Sequence, residues 1–269
     1  MANYNSFVSK NINSTGNPKR RLRQFKAFFG CQDPLKPVPN RAISPLFKVL
    51  SIVKWIRRVG PLSWTCGKHL GLDEQTIGFQ GHHVNKQRIT YKREGDGFQC
   101  DALCDDRFTF TVYFRNEVPP RNYVRDLGLS SLHARSLWLL DQLTQKHHHV
   151  WVDNLYMSAK FAKAGFTSKN KVVLSGVTRT ANRGLPWCIK HKEVRDNEII
   201  SVRGKVKAAV LHEEPAMSDL VAMSIYDNKP VHFLSMTCQS IKWLVKSRQV
   251  WNHEARRMVP VSFLQNQFD

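Results

Sequence analysis

Two apolar runs, far apart in this chain, each end on a single aspartate, and that shared ending constrains the fold more than any other feature of the sequence. The first is HLGLDEQTIGFQG, His69 to Gly81, carrying Asp73. The second is HHHVWVDNLYMS, His147 to Ser158, carrying Asp153. Each reads as a β-strand that finishes on a carboxylate and then changes character. Two aspartates delivered from separate strands form a hard-oxygen donor pair suited to a divalent cation. The competing reading makes them strand-end residues that cap nearby backbone.

The surroundings are basic. Lys and Arg number 41 against 21 acids, a net charge of +20 spread along the whole length. A balance that one-sided points to a polyanion, nucleic acid before an anionic membrane surface. No apolar run approaches the ~20 residues of a spanning helix. MANYNSFVSKNINSTG at the start lacks the apolar centre of a signal peptide, so no membrane partner is expected. An apolar content of 42% supplies a core and argues against global disorder. The six cysteines are too scattered for a disulfide framework. Cys100 and Cys104 have half-zinc-site spacing but no second pair to complete it, so they read as small buried residues.

Residues 1–40 read as a flexible basic, proline-containing segment, with KRRLR as a nuclear address or DNA contact and PLKPVPN as an extended linker. Ser44-Pro45 has the form of a helix start. Leu46, Leu50, Val53 and Ile56 predict an amphipathic helix over Pro45–Val59, stopped by Gly60-Pro61. QGHHVNKQRITYKR follows the first strand. Its Lys86, Arg88, Lys92 and Arg93 form a candidate phosphate-contacting patch, and His82 and His83 read as surface residues. GFQCDALC and FTFTVYFR read as paired strands about a turn at Asp105-Asp106-Arg107. Asp101, Asp105 and Asp106 are ligand-type residues, and turn chemistry accounts for the last two. SSLHARSLWLLDQL predicts a helix, KHHH a polar approach to the second Asp strand, YMSAKFAKAGF a helix and KVVLSGV a buried strand. TRTANRG then makes a basic loop containing Arg179 and Arg183. From Leu185 the pattern turns mostly β, ending in KWLVKSRQVWN and RRMVPVSFLQNQFD, read as short strand-like or irregular pieces.

Three strands in a meander followed by alternating helices and strands is an α/β order, that of an RNase H-like mixed sheet flanked by helices. LDEQTIGFQG, VDNLYMSAKF, VVLSGVTRTANRGLP and VHFLSM, in that order, resemble the catalytic region of piggyBac-type transposases from about Pro45 onward. The resemblance implies an RNase H-like core over 41–184, then a β-rich insertion and a truncated C-terminal segment over 185–269. It implies DNA strand cleavage and transfer by three aspartates with Mg²⁺ or Mn²⁺, DNA as partner, a homodimer and a nuclear location. The first two aspartates fall on Asp73 and Asp153. The third, expected on a later helix, has no match, so weak or absent activity is expected. The alternative is a domesticated, non-enzymatic DNA-binding or chromatin-associated module.

Overall fold

Gly60-Pro61 has the composition of a helix terminator, yet the chain stays helical through it. The structure is a computed structural model that describes residues 35, 37, 39–40, 46–79, 82–83, 85–89, 95–106, 108–182, 184–190, 194–195, 198–199, 206–211, 220–226, 229–237, 241–252 and 256–268. After a 3₁₀ turn at Phe47–Val49, helix α1 spans Leu50–Ser63 with Pro61 inside it. The predicted stop is therefore corrected. Proline gives up one backbone bond, and the Trp64 N–H closes the last turn on the Gly60 carbonyl at 3.2 Å. A side chain at Gly60 would place Cβ 2.3 Å from the Phe110 carbonyl oxygen. Glycine there admits a strand backbone against the helix instead of ending it. The predicted cap, Ser44-Pro45, lies outside the described residues. A boundary between two compact units falls within α1, at Trp55/Ile56, and the strands among the described residues all belong to the second unit, Ile56–Asp269.

β1 (His69–Gly78), β2 (Gln87–Arg88), β3 (Asp96–Asp105) and β4 (Phe108–Phe114) come next. Then come α2 (Arg121–Asp126), α3 (Ser131–Asp141), β5 (His149–Val152), α4 (Ala159–Thr167), β6 (Val173–Thr178) and α5 (Trp187–Lys190). Among the described residues nine strands make one mixed sheet, in the order β2-β3-β1-β5-β6-β11-β10-β9 with β4 also on β3. Here β9 is Val206–Leu211, β10 Leu220–Tyr226 and β11 Pro230–Ser235. β1, β5 and β6 run parallel at the centre, and antiparallel pairings extend the sheet on both sides. This is the expected α/β class.

One face of the sheet carries the core. Leu70 and Leu72 of β1, Leu103 of β3, Val150 and Val152 of β5 and Leu174 of β6 pack with Leu137 and Leu140 of α3 and Phe161 of α4. Ser130 caps α3 by accepting the His133 N–H, and Ser158 caps α4 by accepting the Phe161 N–H. α4 therefore begins at Ala159, not at Tyr156 as the sequence predicts. Tyr156 belongs to the turn before it.

The β-rich stretch after residue 185 does not stand apart. β11 pairs directly with β6, Leu234 opposite Gly176 and Ser235 opposite Ser175, so three of its strands extend the central sheet. A short ladder, β7 (Val194–Arg195) with β8 (Glu198–Ile199), is separate. The last two segments, read from sequence as short or irregular, are one long antiparallel ribbon: β12 (Ile241–Asn252) against β13 (Arg257–Phe268) in unbroken register. Apolar and charged residues mix along both, which hides their strand period from a burial argument.

Candidate functional site beside the parallel strands

β1 and β5 are hydrogen-bonded neighbours in parallel register, His69 opposite His149 and Leu72 opposite Val152. Leu72 and Val152 both point into the core, at 1% and 6% exposure. Asp73 and Asp153 are the next residue in each strand direction, so both leave the core, and both are exposed. At their last paired position the strands lie about 4.8 Å apart. Residues far apart in sequence are thereby set one position past the last pair of two neighbouring parallel strands. β5 ends there, but β1 runs on to Gly78, so the expected ending of the first strand on Asp73 is corrected.

Asp73 stays within β1 and accepts the Glu74 N–H on Oδ1 at 2.7 Å. Asp153 opens the turn into α4. Its carbonyl accepts the N–H groups of Tyr156 at 3.0 Å and Met157 at 3.1 Å. The loop after β6 is tied to the same turn. Thr178 Oγ1 and Asn182 Nδ2 both donate to the Met157 carbonyl, at 3.2 and 3.0 Å. Arg179, next to Thr178 in that loop, is exposed.

The other expected phosphate contacts lie across the sheet or outside the described residues. Lys86 pairs with Asp96 at 3.2 Å, while Arg88, 83% exposed, lies 4.0 Å from the same carboxylate. Such surface pairs contribute under ~1 kcal/mol and exchange readily for a phosphate. Lys92, Arg93 and Arg183 lie outside the described residues.

Among the described residues no group of three or more His, Cys, Asp or Glu side chains is gathered in a form that could hold a metal ion. The donor chemistry of Asp73 and Asp153 fits a hard dication whose other positions are filled by water. The cysteines do not compete for it. Burial, followed by the Asp101 charge, pushes the Cys100 thiol up to about 12, and burial raises Cys104 as well. Both stay protonated; Cys100 is buried as the sequence suggests, while Cys104 is half-buried.

The KHHH run is more structural than its reading as a polar approach. His147 takes a positive φ of 63°. His148 is buried, with Nδ1 2.8 Å from the Gly67 carbonyl oxygen. His149 is 7% exposed, between His69 and Trp151. Burial, then the neighbouring His69 and Lys68, push its imidazole down to about 4. Between pH 6.5 and 4 the unfolded chain therefore binds a proton that the folded chain refuses. Stability contributed by neutral His149 is complete above 6.5 and is lost as pH falls toward 4. Unfolding free energies from urea titrations at pH 7 and pH 5 are expected to differ by up to about 2 kcal/mol, with a smaller difference in His149→Gln.

Beneath the acids lies a cluster that sequence reasoning missed. Asp101, wholly buried on β3, sits opposite Glu74 in the β1–β3 ladder. Its Oδ1 accepts from Arg115 Nε and Nη2 at 3.2 and 3.1 Å and from the Tyr156 hydroxyl at 2.8 Å. Its Oδ2 accepts from Arg135 Nε at 3.0 Å. Arg115 also pairs with Glu74 and donates to Gln99 Oε1. Burial lowers the Arg115 affinity for its proton, but Asp101 and Glu74 more than offset that. Burial, with Asp101 beside it, raises the Tyr156 hydroxyl and keeps it a donor. The sequence did hold a signal: an aspartate inside an apolar strand, FQCDALC, and an arginine inside an apolar helix, SLHARSLWLL. Each needs a buried partner.

Comparison with solved structures identifies the class of fold. The chain superposes on a piggyBac transposase, solved by cryo-electron microscopy as a synaptic complex with hairpin DNA, with a TM-score of 0.65 at 18% identity. The match covers 88% of this chain and 46% of that one, so the chain spans about half the length of the transposase it matches. The mixed sheet flanked by helices is thus a fold this chain shares with the matched part of that transposase. The profile of the family described as Transposase IS4 matches residues 40–267, and the chain belongs to that family. No curated protein sequence matches it.

Proposed function

We propose that this is a transposase-derived protein in which Asp73 and Asp153 are the metal-holding acids of a DNA strand-cleaving site. The observation that carries the reading is the parallel β1–β5 register, whose last pair, Leu72 opposite Val152, is followed on each strand by an exposed aspartate. A divalent ion held there supplies Lewis-acid stabilisation of a phosphoryl group and a more acidic water. The chain's own residues do the rest. The two exposed carboxylates offer the oxygen ligands, and the Asp153 turn is fixed by its carbonyl bonds. Arg179, beside that turn, neutralises a backbone phosphate, and Arg88 meets the duplex farther along the sheet.

With two acids and no third ligand gathered among the described residues, cation placement is loose. Strand transfer needs sub-ångström positioning. The chain assayed alone with Mg²⁺ or Mn²⁺ on a hairpin DNA end is therefore expected to give weak or no product. Robust turnover that disappears in Asp73→Ala would overturn the weak-activity reading and keep the site. Turnover that is unchanged in Asp73→Ala and Asp153→Ala would overturn the site.

The net charge of +20 supports a second reading, a DNA-binding module without chemistry. Duplex affinity is then expected to fall steeply with salt and to ignore chelator and Asp73→Ala. Under either reading Arg179→Ala is expected to lower affinity and reduce the salt slope by about 1. Fluorescence anisotropy over a salt series measures both, and no binding at low salt removes both readings. DNA contact, dimer formation and nuclear location all belong to this proposal.

A further inference from the structure

We propose that the buried Asp101 carboxylate is a positioning residue that holds Asp73 and Asp153 in mutual register from beneath the sheet. This rests on the reading of those two acids as a cation site. Asp101 faces Glu74 across the ladder, and Glu74 is the chain neighbour of Asp73. Arg115 bridges the two carboxylates, with its fork on Asp101 and its Nη2 also on Glu74. That fixes β1 one residue from Asp73. On the other side the Tyr156 hydroxyl reaches Asp101 Oδ1 at 2.8 Å. Tyr156 closes the turn whose N–H groups hold the Asp153 carbonyl. Its own carbonyl lies 2.8 Å from His133 Nε2, so the turn is gripped at both ends of the residue.

A merely structural core would not favour this arrangement. Two carboxylates and two guanidiniums cancel in charge, yet a buried ion network of this kind holds no stability advantage over apolar side chains of the same volume. What it supplies is direction. Forked guanidinium bonds and a phenol donor fix angles that packing alone leaves soft. Both directions lead to the elements that carry the exposed acids. A partner that orients a ligand in this way typically alters cation affinity about tenfold or more when lost.

The test uses the full 269-residue chain and Mn²⁺ alone, titrated by the electron paramagnetic resonance signal of the free ion. Tyr156→Phe keeps the ring and removes only the hydroxyl. It is expected to weaken Mn²⁺ binding about tenfold, and to have no effect on the residual binding of an Asp153→Asn background. Tyr123→Phe is the control. It removes a hydroxyl bonded to Asp141, between α2 and α3, and is expected to leave Mn²⁺ affinity unchanged. Equal losses in both tyrosine variants would show a general loosening and overturn the proposal. So would an unchanged affinity in Tyr156→Phe while Asp153→Asn weakens binding, and in that case the cation site itself stands. If neither Asp73→Asn nor Asp153→Asn changes Mn²⁺ binding, the cation site falls and the positioning role falls with it. Should Tyr156→Phe fail to fold, Arg115→Lys takes its place with the same expectation, since it keeps the charge and loses the fork.

Discussion

Asp101→Ala is expected to destabilise the protein by about 3–5 kcal/mol, among the largest effects of any single substitution here. The carboxylate is wholly buried and accepts from three side chains. Its removal leaves the Arg135 guanidinium, in a residue 8% exposed, without its ion-pair partner. Arg115 retains Glu74, so the uncompensated charge falls mainly on Arg135. The Tyr156 hydroxyl loses its acceptor as well. Urea unfolding with an unchanged slope would report the loss as a shift of midpoint. A change under about 1 kcal/mol would mean that water enters and solvates the arginines, so that the cluster is neither dry nor closed. Asp101→Asn retains an acceptor oxygen but not the charge, and is expected to fall between Ala and the unaltered chain.

Gly176→Ala is expected to cost about 3 kcal/mol by overpacking and to disturb the Asp153 turn. Gly176 of β6 is the register partner of Val152. A Cβ there would lie 2.0 Å from the Val152 carbonyl oxygen and 2.9 Å from its Cγ2. The obstacle is strand backbone, so one of two buried strands must move. The carbonyl that moves belongs to the residue just before Asp153. Gly71→Ala is the contrasting case. Its new Cβ meets nothing within 4 Å, and the substitution also removes unfolded-state entropy, so a change within about 1 kcal/mol of either sign is expected. Chemical denaturation of the pair separates close backbone approach from a general intolerance of side chains in the sheet.

The central strands are legible in the sequence because each carries an apolar side, although β1 runs on through Gly78 and does not finish on Asp73. Val150 and Val152 face the core, and the chain turns at Asp153 as the run implies. The pairing β3–β4 came from GFQCDALC, FTFTVYFR and the aspartates between them. Three things were not legible. The helix through Gly60-Pro61 depends on a strand carbonyl that packs against Gly60, a tertiary fact with no local trace. The start of α4 was misplaced because Tyr156 has good helical neighbours, and a buried acceptor on another strand pulls it into a turn. The strands β9 to β11 have ordinary strand composition, and composition cannot say whether such strands begin a new sheet or lengthen an old one.

The parallel pairing of residue 69 with residue 149, and the antiparallel pairing of 175 with 235, also bear on how the molecule is made. Neither pair can form until a long intervening loop has closed, and such closures are the slow events of folding. Helices α3 and α4 and the β3–β4 hairpin are local and can assemble early. The β1–β5 pairing beside both acids is then expected to form late. Refolding followed by fluorescence of a variant that keeps Trp151, on β5, as its single tryptophan is expected to register that pairing as a phase slower than the recovery of helical circular dichroism.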